Sequence, residues 1–144
     1  RENYDMHQYL LTPDYKDIRE LTNILWPGGH REAPAVVKNG KNYFLMTSGC
    51  TGWAPNQAKY AVAQSIRGPW SELRNIGNAT TFDSQSTYIL KIKDKSKNKF
   101  LYIGDRWDGK NYFNSRYIFL PLTFPDFDTM ELNWKEEFKI NNLQ

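Results

Sequence analysis

Glu32 is a candidate proton donor in this sequence. It stands two positions before Pro34, where a short apolar run begins. A carboxyl group beside apolar strands loses hydration, which favours its protonated form. Protonation of a glycosidic oxygen needs a carboxylic acid of this kind. The alternative is a structural carboxylate that accepts strand-end N–H groups or pairs with Arg31 or Arg106.

Gln85 is a candidate sugar-binding residue. It lies 53 positions after Glu32, in the segment SQST at 84–87. Its amide carries both a donor and an acceptor, which suits it to bind sugar hydroxyl groups. An amide is not an ordinary base at neutral pH. The alternative role for Gln85 is to cap the end of a strand.

The segment SGCTGWAPN at 48–56 combines the groups that sugar-binding clefts use. The indole face of Trp53 can stack on the apolar face of a sugar, while Thr51 and Asn56 can orient its hydroxyl groups. A structured turn between two strands is the alternative. Cys50 has no histidine near it in the sequence to activate it, so we interpret it as an inert small side chain.

The segment GDRWD at 104–108 occupies the equivalent place in the second half of the chain. We expect Arg106 to form an ion pair with Glu32 or Asp105 and to fix the site. A surface salt bridge is the alternative for this side chain. Trp107 is expected to bind substrate beside Trp53.

Short β-strands must position these side chains. Apolar runs of about four to eight residues, rich in Val, Ile, Tyr and Phe, are separated by Gly, Pro, Asn and Asp, which is typical of strands. A helical turn is predicted only at residues 14–21. The predicted strands are 5–11, 34–38, 42–48, 58–64, 86–92, 99–104, 115–121 and 131–138.

The strands repeat along the chain. The sequence at 33–46, with NGK between two apolar runs, predicts a hairpin, and 86–104 predicts another with a lysine-rich turn. KYAVA at 59–63 resembles RYIFL at 116–120, which lies 57 positions later. Four strands per roughly 50–57 residues is typical of a β-propeller. An immunoglobulin-like sandwich has a similar number of strands but does not repeat in this way.

The repeat places the two candidate residues together. In a propeller the first strand of each blade lines the central channel. Glu32 precedes the first strand of one unit and Gln85 precedes the first strand of the next. We therefore expect both side chains to face one cavity.

Two blades cannot close a ring, because propellers typically have about four to eight blades. The chain opens on Arg1 rather than Met, and we expect the missing blades to lie N-terminal to it. We assign 1–22 to the end of a preceding blade, 23–78 to the blade with Glu32, and 79–144 to the last blade with Gln85. An isolated piece is expected to bury its open faces against another copy.

Composition excludes several classes of protein. The net charge is +3 without a long basic block, and the alternating lysines at 91–99 suit a solvated edge, so no nucleic-acid partner is predicted. The sequence has no run of about 18 apolar residues, so no membrane span is predicted. The single Cys and two His have no metal-ligand spacing, so neither a metal site nor a cofactor is predicted. An aromatic content of 15% fits either a sugar-binding cleft or an aromatic core.

An ordered set of motifs resembles glycoside hydrolase family 43. The likeness is to the C-terminal half of that family, most closely to its exo-β-1,3-galactanase branch, and it covers roughly residues 1–140. The motifs are REAPA at 31–35, TSGCTGWAPN at 47–56, YAVA at 60–63, GPW at 68–70, SQST at 84–87, GDRW at 104–107 and SRY at 115–117.

The resemblance implies an all-β fold, part of a five-bladed propeller. This chain supplies the last strands of blade three and the whole of blades four and five. The resemblance also implies inverting hydrolysis, with Glu32 as the catalytic acid and Gln85 in the position of the usual acidic base. Thr51 and Trp53 would line the galactose pocket. Inverting geometry predicts side-chain heads about 6.5–9.5 Å apart.

The resulting hypothesis is a secreted or periplasmic exo-galactosidase that trims β-1,3-galactan. Acidic residues that the family carries on earlier blades lie outside this chain, so the piece alone is predicted to be inactive. An arabinosidase or xylosidase of the same family, and a non-catalytic sugar-binding propeller, are the alternatives. The predicted substrate-binding residues are Thr51, Trp53, Asn56, Arg106 and Trp107.

Overall fold

The computed structural model describes residues 4–93 and 97–143, with Lys95 of the lysine-rich turn outside those ranges. Within the described residues all the regular structure is β-strand apart from two single 3₁₀ turns, Tyr112–Asn114 and Ile140–Asn142. The predicted all-β class is confirmed. No helix in these two ranges has the length and apolar character needed to cross a membrane.

Ten strands are assigned in the described ranges. They are β1 Met6–Leu11, β2 Ile18–Leu25, β3 Arg31–Asn39, β4 Asn42–Gly49, β5 Lys59–Ala63, β6 Arg74–Asn75, β7 Gln85–Ile92, β8 Lys99–Arg106, β9 Arg116–Thr123 and β10 Glu131–Leu132.

The strands form three antiparallel sheets. β1 and β2 make a two-stranded hairpin, β3 to β6 make one four-stranded sheet, and β7 to β10 make a second. In both larger sheets each strand pairs with its neighbour in sequence, which is the meander of a propeller blade. We call these sheets the Glu32 blade and the Gln85 blade. The segments KYAVA and RYIFL lie in β5 and β9, the third strand of each blade, as the repeat predicted.

Two sequence predictions about local structure are wrong. The helical turn expected at 14–21 is instead a tight turn followed by β2, because Thr12 N donates to Asp17 O at 2.9 Å and closes a hairpin. The expected boundary after residue 22 therefore falls inside β2. The strand expected at 131–138 stops at Leu132, since the charged run after Trp134 has no alternating apolar face to bury.

The core lies between the two blades. In β3, Ala35 and Val37 are buried while Val36 between them is exposed, as a half-buried strand requires. Burying one large side chain of this kind contributes about 1.5–3 kcal/mol. The main members of the cluster are Phe44, Met46, Tyr60, Val62, Phe100, Tyr102, Ile118, Leu120, Leu122, Met130 and Leu132.

Polar contacts also hold the blades together at the end away from Glu32. Asn42 Nδ2 donates to the carbonyl of Phe127 at 2.7 Å, and Asn42 is itself buried. Arg74 contacts both the carbonyl and the carboxylate of Asp128. Because both acceptors lie between β9 and β10, the second blade cannot slide relative to the first without losing these bonds.

Candidate active site

Glu32 and Gln85 meet at the start of the first strands of the two blades. Gln85 Nε2 donates to Glu32 Oε1 at 2.8 Å and to Ser48 Oγ at 3.0 Å. Ser48 is buried and lies opposite Glu32 in the β3–β4 ladder. The expectation that both side chains face one place, which rested on the repeat alone, agrees with this geometry.

Trp107 sets the orientation of the Gln85 amide. Its indole Nε1 donates to Gln85 Oε1 at 2.9 Å. An indole N–H can only donate, so the amide oxygen of Gln85 must face Trp107, and the amide nitrogen then faces Glu32. Trp107 alone therefore fixes the amide orientation.

Matching β-bulges bring the two first strands to this position. In the β3–β4 ladder the register shifts between Glu32 and Ala35, and in the β7–β8 ladder it shifts between Ser86 and Tyr88. In each case the first strand carries one extra residue. A bulge twists its strand and re-aims side chains. Ala33, inside the first bulge, has a φ of +50°.

The Glu32 carboxylate and the Gln85 amide are closer than predicted. Inverting geometry predicts a distance of about 6.5–9.5 Å between these two groups. In this structure the amide and the carboxylate are in direct contact at 2.8 Å. The reason is chemical complementarity, since the bulges place an N–H donor and an acceptor at hydrogen-bonding distance. The prediction of a separated pair is wrong for this state of the molecule.

A cavity of about 210 Å³ opens beside Gln85. The rings of Trp53 and Trp107 form one wall, with centroids 5.6 Å apart at an interplanar angle of 67°. Glu32 lies behind Gln85 rather than on the lining. Two carboxylates that the sequence analysis did not select also line the cavity: Asp83 and Asp105. The signal for Asp105 was its place in the GDRWD segment, directly opposite Gln85 in the β7–β8 ladder.

Asn56 and Thr51 hold the loop that presents Trp53. Asn56 Oδ1 accepts from Gly49 N at 2.8 Å, and Asn56 Nδ2 donates to Gly49 O at 3.0 Å and to Thr51 Oγ1 at 2.7 Å. Thr51 Oγ1 then donates to Ala54 O at 2.6 Å. Asn56 lines the cavity, but its amide atoms and the Thr51 hydroxyl bond within the loop. Their part in sugar binding stays a prediction.

Arg106 points to a different partner from those predicted. Its Nη2 and Nε donate to the carbonyl of Phe82 at 2.8 and 3.2 Å, and its guanidinium lies 5.7 Å from the ring centroid of Trp134. The contacts described for Arg106 are this carbonyl and the Trp134 ring, and the predicted ion pair with Glu32 or Asp105 stays a prediction. The structure therefore gives Arg106 a supporting role under the turn that leads to Gln85.

That turn has unusual backbone geometry. Thr81, Phe82 and Asp83 have φ values of +52°, +56° and +58°, a left-handed run that residues other than Gly rarely adopt. Strain of this kind persists only where the surroundings enforce it, and it concentrates at functional sites. Here the buried Thr81 hydroxyl accepts from Ala58 N at 2.8 Å and donates to Asn56 O at 2.7 Å.

A fixed positive charge lies next to Glu32. Arg31 Nε donates to Thr47 Oγ1 at 3.0 Å, and its Nη2 donates to Thr47 O at 2.7 Å. Burial lowers the pKa of Arg31 below its ordinary value, while the nearby Cys50 thiol and Glu32 carboxylate act in the opposite direction. Arginine remains charged at any working pH. In residues 4–93 and 97–143, His, Cys, Asp and Glu side chains form no group of three or more able to hold a metal ion.

Comparison with known proteins identifies the architecture. No protein-family model matches the chain, and no curated protein sequence matches it. Among solved structures, an exo-β-1,3-galactanase from Clostridium thermocellum is 49% identical over 91% of this chain, with a TM-score of 0.86. A GH43 β-1,3-galactosidase solved with galactodeoxynojirimycin is 36% identical over 95% of the chain, with a TM-score of 0.87.

The chain belongs to glycoside hydrolase family 43. A third member, an exo-β-1,3-galactanase from Phanerochaete chrysosporium solved with β-1,3-galactotriose, is 32% identical over 86% of this family 43 chain, with a TM-score of 0.79. The chain spans 29%, 40% and 28% of these three proteins. The family resemblance and the predicted fold, part of a five-bladed β-propeller, are confirmed.

Proposed function

We propose that the whole protein containing this chain is an exo-acting glycoside hydrolase that releases β-1,3-linked galactose from galactan or arabinogalactan. The observation that carries the proposal is the hydrogen-bonded series Glu32–Gln85–Trp107 beside a cavity with an aromatic wall. The activity is assigned to the whole protein, because this chain spans less than half of its relatives.

In the proposed reaction Glu32 protonates the leaving glycosidic oxygen and Gln85 orients the attacking water, with inversion at the anomeric carbon. The water releases its proton to solvent as the new C–O bond forms and the glycosidic bond breaks, and Glu32 is reprotonated from solvent. Among contacts of the described residues, the Gln85 N–H groups serve Glu32 and Ser48, and one Oε1 lone pair accepts from Trp107. The second Oε1 lone pair suits a water or a sugar hydroxyl. A water bound to Gln85 Oε1 would lie at the wall of the cavity that Gln85 lines.

Substrate must separate Glu32 from Gln85 for this reaction. An inverting site needs room for a sugar and a water, which corresponds to about 6.5–9.5 Å between the two groups. Gln85 is fixed from two other directions, by Trp107 and by Ser48. We propose that the entering sugar breaks the Glu32–Gln85 contact, while Trp107 and Ser48 keep the Gln85 amide in place.

Replacement of Glu32 by Gln tests the proposal in the full-length protein. Turnover of β-1,3-galactan should fall by about 10²–10⁴-fold, the usual contribution of a general acid. Galactose binding, measured by calorimetry, should persist, because Gln has nearly the same shape. Glu131→Gln, at an exposed position on β10, is the matched control and should keep full activity. Wild-type rates in Glu32→Gln would remove Glu32 from this role.

A substrate panel separates the proposed activity from its rivals. Galactose released from β-1,3-galactan, with no cleavage of nitrophenyl arabinosides or xylosides, supports the galactanase assignment. Cleavage of those pentosides instead would indicate an arabinosidase or xylosidase. Binding of galacto-oligosaccharides without any product over days would indicate a sugar-binding propeller without catalysis.

The proposal extends to partners and location. On the outer face of the Gln85 blade, Tyr88, Leu90, Tyr117 and Phe119 are exposed large apolar side chains. Exposed apolar faces of this kind mark interaction surfaces. We assign this face to a further blade of the same protein, or to a second copy when the piece is isolated. A polysaccharide substrate implies secretion or a periplasmic location.

A further inference from the structure

A series of four aromatic rings leads from the cavity across the surface. Trp53 and Trp107 line the cavity, and the series continues through Tyr112 to Phe113. Successive centroids lie 5.6, 5.7 and 6.3 Å apart, and the rings of Trp107 and Tyr112 are stacked at 21°. We call these four residues the aromatic strip.

The outer half of the strip is unusually exposed. Tyr112 is 61% exposed and Phe113 is 91% exposed. Both lie in the 3₁₀ turn Tyr112–Asn114, where no residue is buried, so this turn contributes little to the core. An exposed cluster of large apolar side chains marks a place where something binds.

The turn that carries these rings is held in place by hydrogen bonds. Asp108 Oδ1 accepts from the backbone N–H groups of Lys110 and Asn111, each at 2.9 Å. Asn111 Oδ1 accepts from Phe113 N at 3.3 Å and caps the turn. Gly109 lies directly against Trp53, since a Cβ at position 109 would come within 2.8 Å of Trp53 Cβ. The backbone that carries the exposed rings is therefore held against the cavity wall.

The geometry points to Tyr112 and Phe113 as the binding platform for the galactosyl units on the leaving-group side of the scissile bond. This inference rests on the proposed function. β-Galactosyl units have an apolar face of C–H groups, which stacks on aromatic rings. Trp107 connects the two regions, because its N–H orients Gln85 while its ring stacks on Tyr112.

Continuity with the cavity favours a sugar chain over a protein partner. A polysaccharide cut from its end must leave the cavity along the surface, and the strip begins at the cavity wall. Uncharged sugars gain from ring stacking without any ion pair. A further domain covering Phe113 is the competing occupant, and the experiment below distinguishes the two.

The test is the double variant Tyr112→Ala/Phe113→Ala in the full-length protein. For long β-1,3-galactan, kcat/KM should fall about ten-fold, mainly through KM. For nitrophenyl β-galactoside, which does not reach along the strip, the loss should be much smaller. The conservative pair Tyr112→Phe/Phe113→Tyr keeps both rings and should restore the rate on galactan. Phe127→Ala is the matched control, because Phe127 is 81% exposed but lies outside the strip, between β9 and β10.

The outcomes separate the two proposals. Equal rates for wild type and double variant on galactan would overturn the platform, as would an equal loss on galactan and on nitrophenyl galactoside. A wild-type protein that cleaves no β-galactoside would overturn the proposed function instead. In that case calorimetry with β-1,3-galacto-oligosaccharides still decides about the strip: weaker binding to the double variant supports it, and unchanged binding overturns it.

Discussion

The amide of Gln85 donates to the carboxylate of Glu32 over 2.8 Å, although 53 positions separate the two residues in the chain. The contact joins the first strands of neighbouring blades. A second bond runs beside it, from Ser86 Oγ to Ala33 O at 2.6 Å, between the two bulged segments. The site is therefore built where two bulges meet, and its geometry depends on how the blades pack.

Trp107→Phe should reduce turnover while preserving the aromatic wall. The variant loses the indole N–H that holds Gln85 Oε1 at 2.9 Å, so the amide is held through its nitrogen contacts with Glu32 and Ser48 but no longer through its oxygen. Loss of one such hydrogen bond, about 0.5–1.5 kcal/mol, corresponds to roughly 2- to 12-fold in kcat. Steady-state kinetics of the full-length protein on β-1,3-galactobiose measures this. The control is Trp134→Phe, whose N–H donates to the exposed Glu136 and, among the described residues, to no group of the site. Equal effects of the two variants would contradict the role assigned to Trp107.

Thr81→Val should destabilise the protein more than Thr81→Ser. The Thr81 hydroxyl is fully buried and bonds to Ala58 N and Asn56 O. Val has the same shape but leaves the Ala58 N–H and the Asn56 carbonyl without this partner. Each unpaired buried group costs about 1–3 kcal/mol. Ser keeps the hydroxyl, and its smaller loss reflects the missing methyl group. Urea unfolding of both variants measures the difference. Identical midpoints would show that the two hydrogen bonds of the Thr81 hydroxyl do not stabilise the protein.

Gly104→Ala should lower the free energy of unfolding by about 1–3 kcal/mol, as overpacking does. The Tyr102 ring lies over Gly104, and a Cβ there would approach Tyr102 Oη to 2.5 Å. The ring would have to move and break its 2.9 Å bond to Ser84 Oγ. Gly49→Ala is the comparison, because its Cβ would meet its nearest neighbour at an ordinary 3.4 Å. Thermal unfolding should rank Gly104→Ala as the less stable variant.

Stability should decline in alkali because of Tyr102. Burial raises the pKa of Tyr102 to about 12, against about 10 for an unfolded tyrosine. Below a pH of about 10, Tyr102 is protonated in both the folded and the unfolded state. Its full contribution to the free energy of unfolding is therefore present there. Between pH of about 10 and 12 Tyr102 loses its proton in the unfolded state but keeps it in the folded state, so the free energy of unfolding falls by about 3 kcal/mol. Tyr102→Phe should lack this part of the decline, and parallel pH curves would refute the assignment.

The strands of this chain could be predicted from the sequence, because the alternation of buried and exposed residues depends only on neighbours in the chain. Alternation such as buried Ala35 and Val37 around exposed Val36 repeats every two residues, whatever the rest of the molecule does. The prediction failed for elements that lack this alternation. The two-residue strand Arg74–Asn75 is too short to give a signal, and β2 has an irregular sequence that misled the prediction at 14–21.

The order of residues was enough to predict the blade repeat, the family motifs, and the positions of Glu32 and Gln85 at the start of successive blades. Three features needed the folded molecule: the contact between these two side chains, the bond from Arg106 to Phe82 O, and the place of Asp83 and Asp105 on the cavity lining. The physical reason is range. Strand alternation and turn chemistry depend on neighbours in the chain, whereas the partner of a side-chain donor depends on bulges and on packing between distant segments.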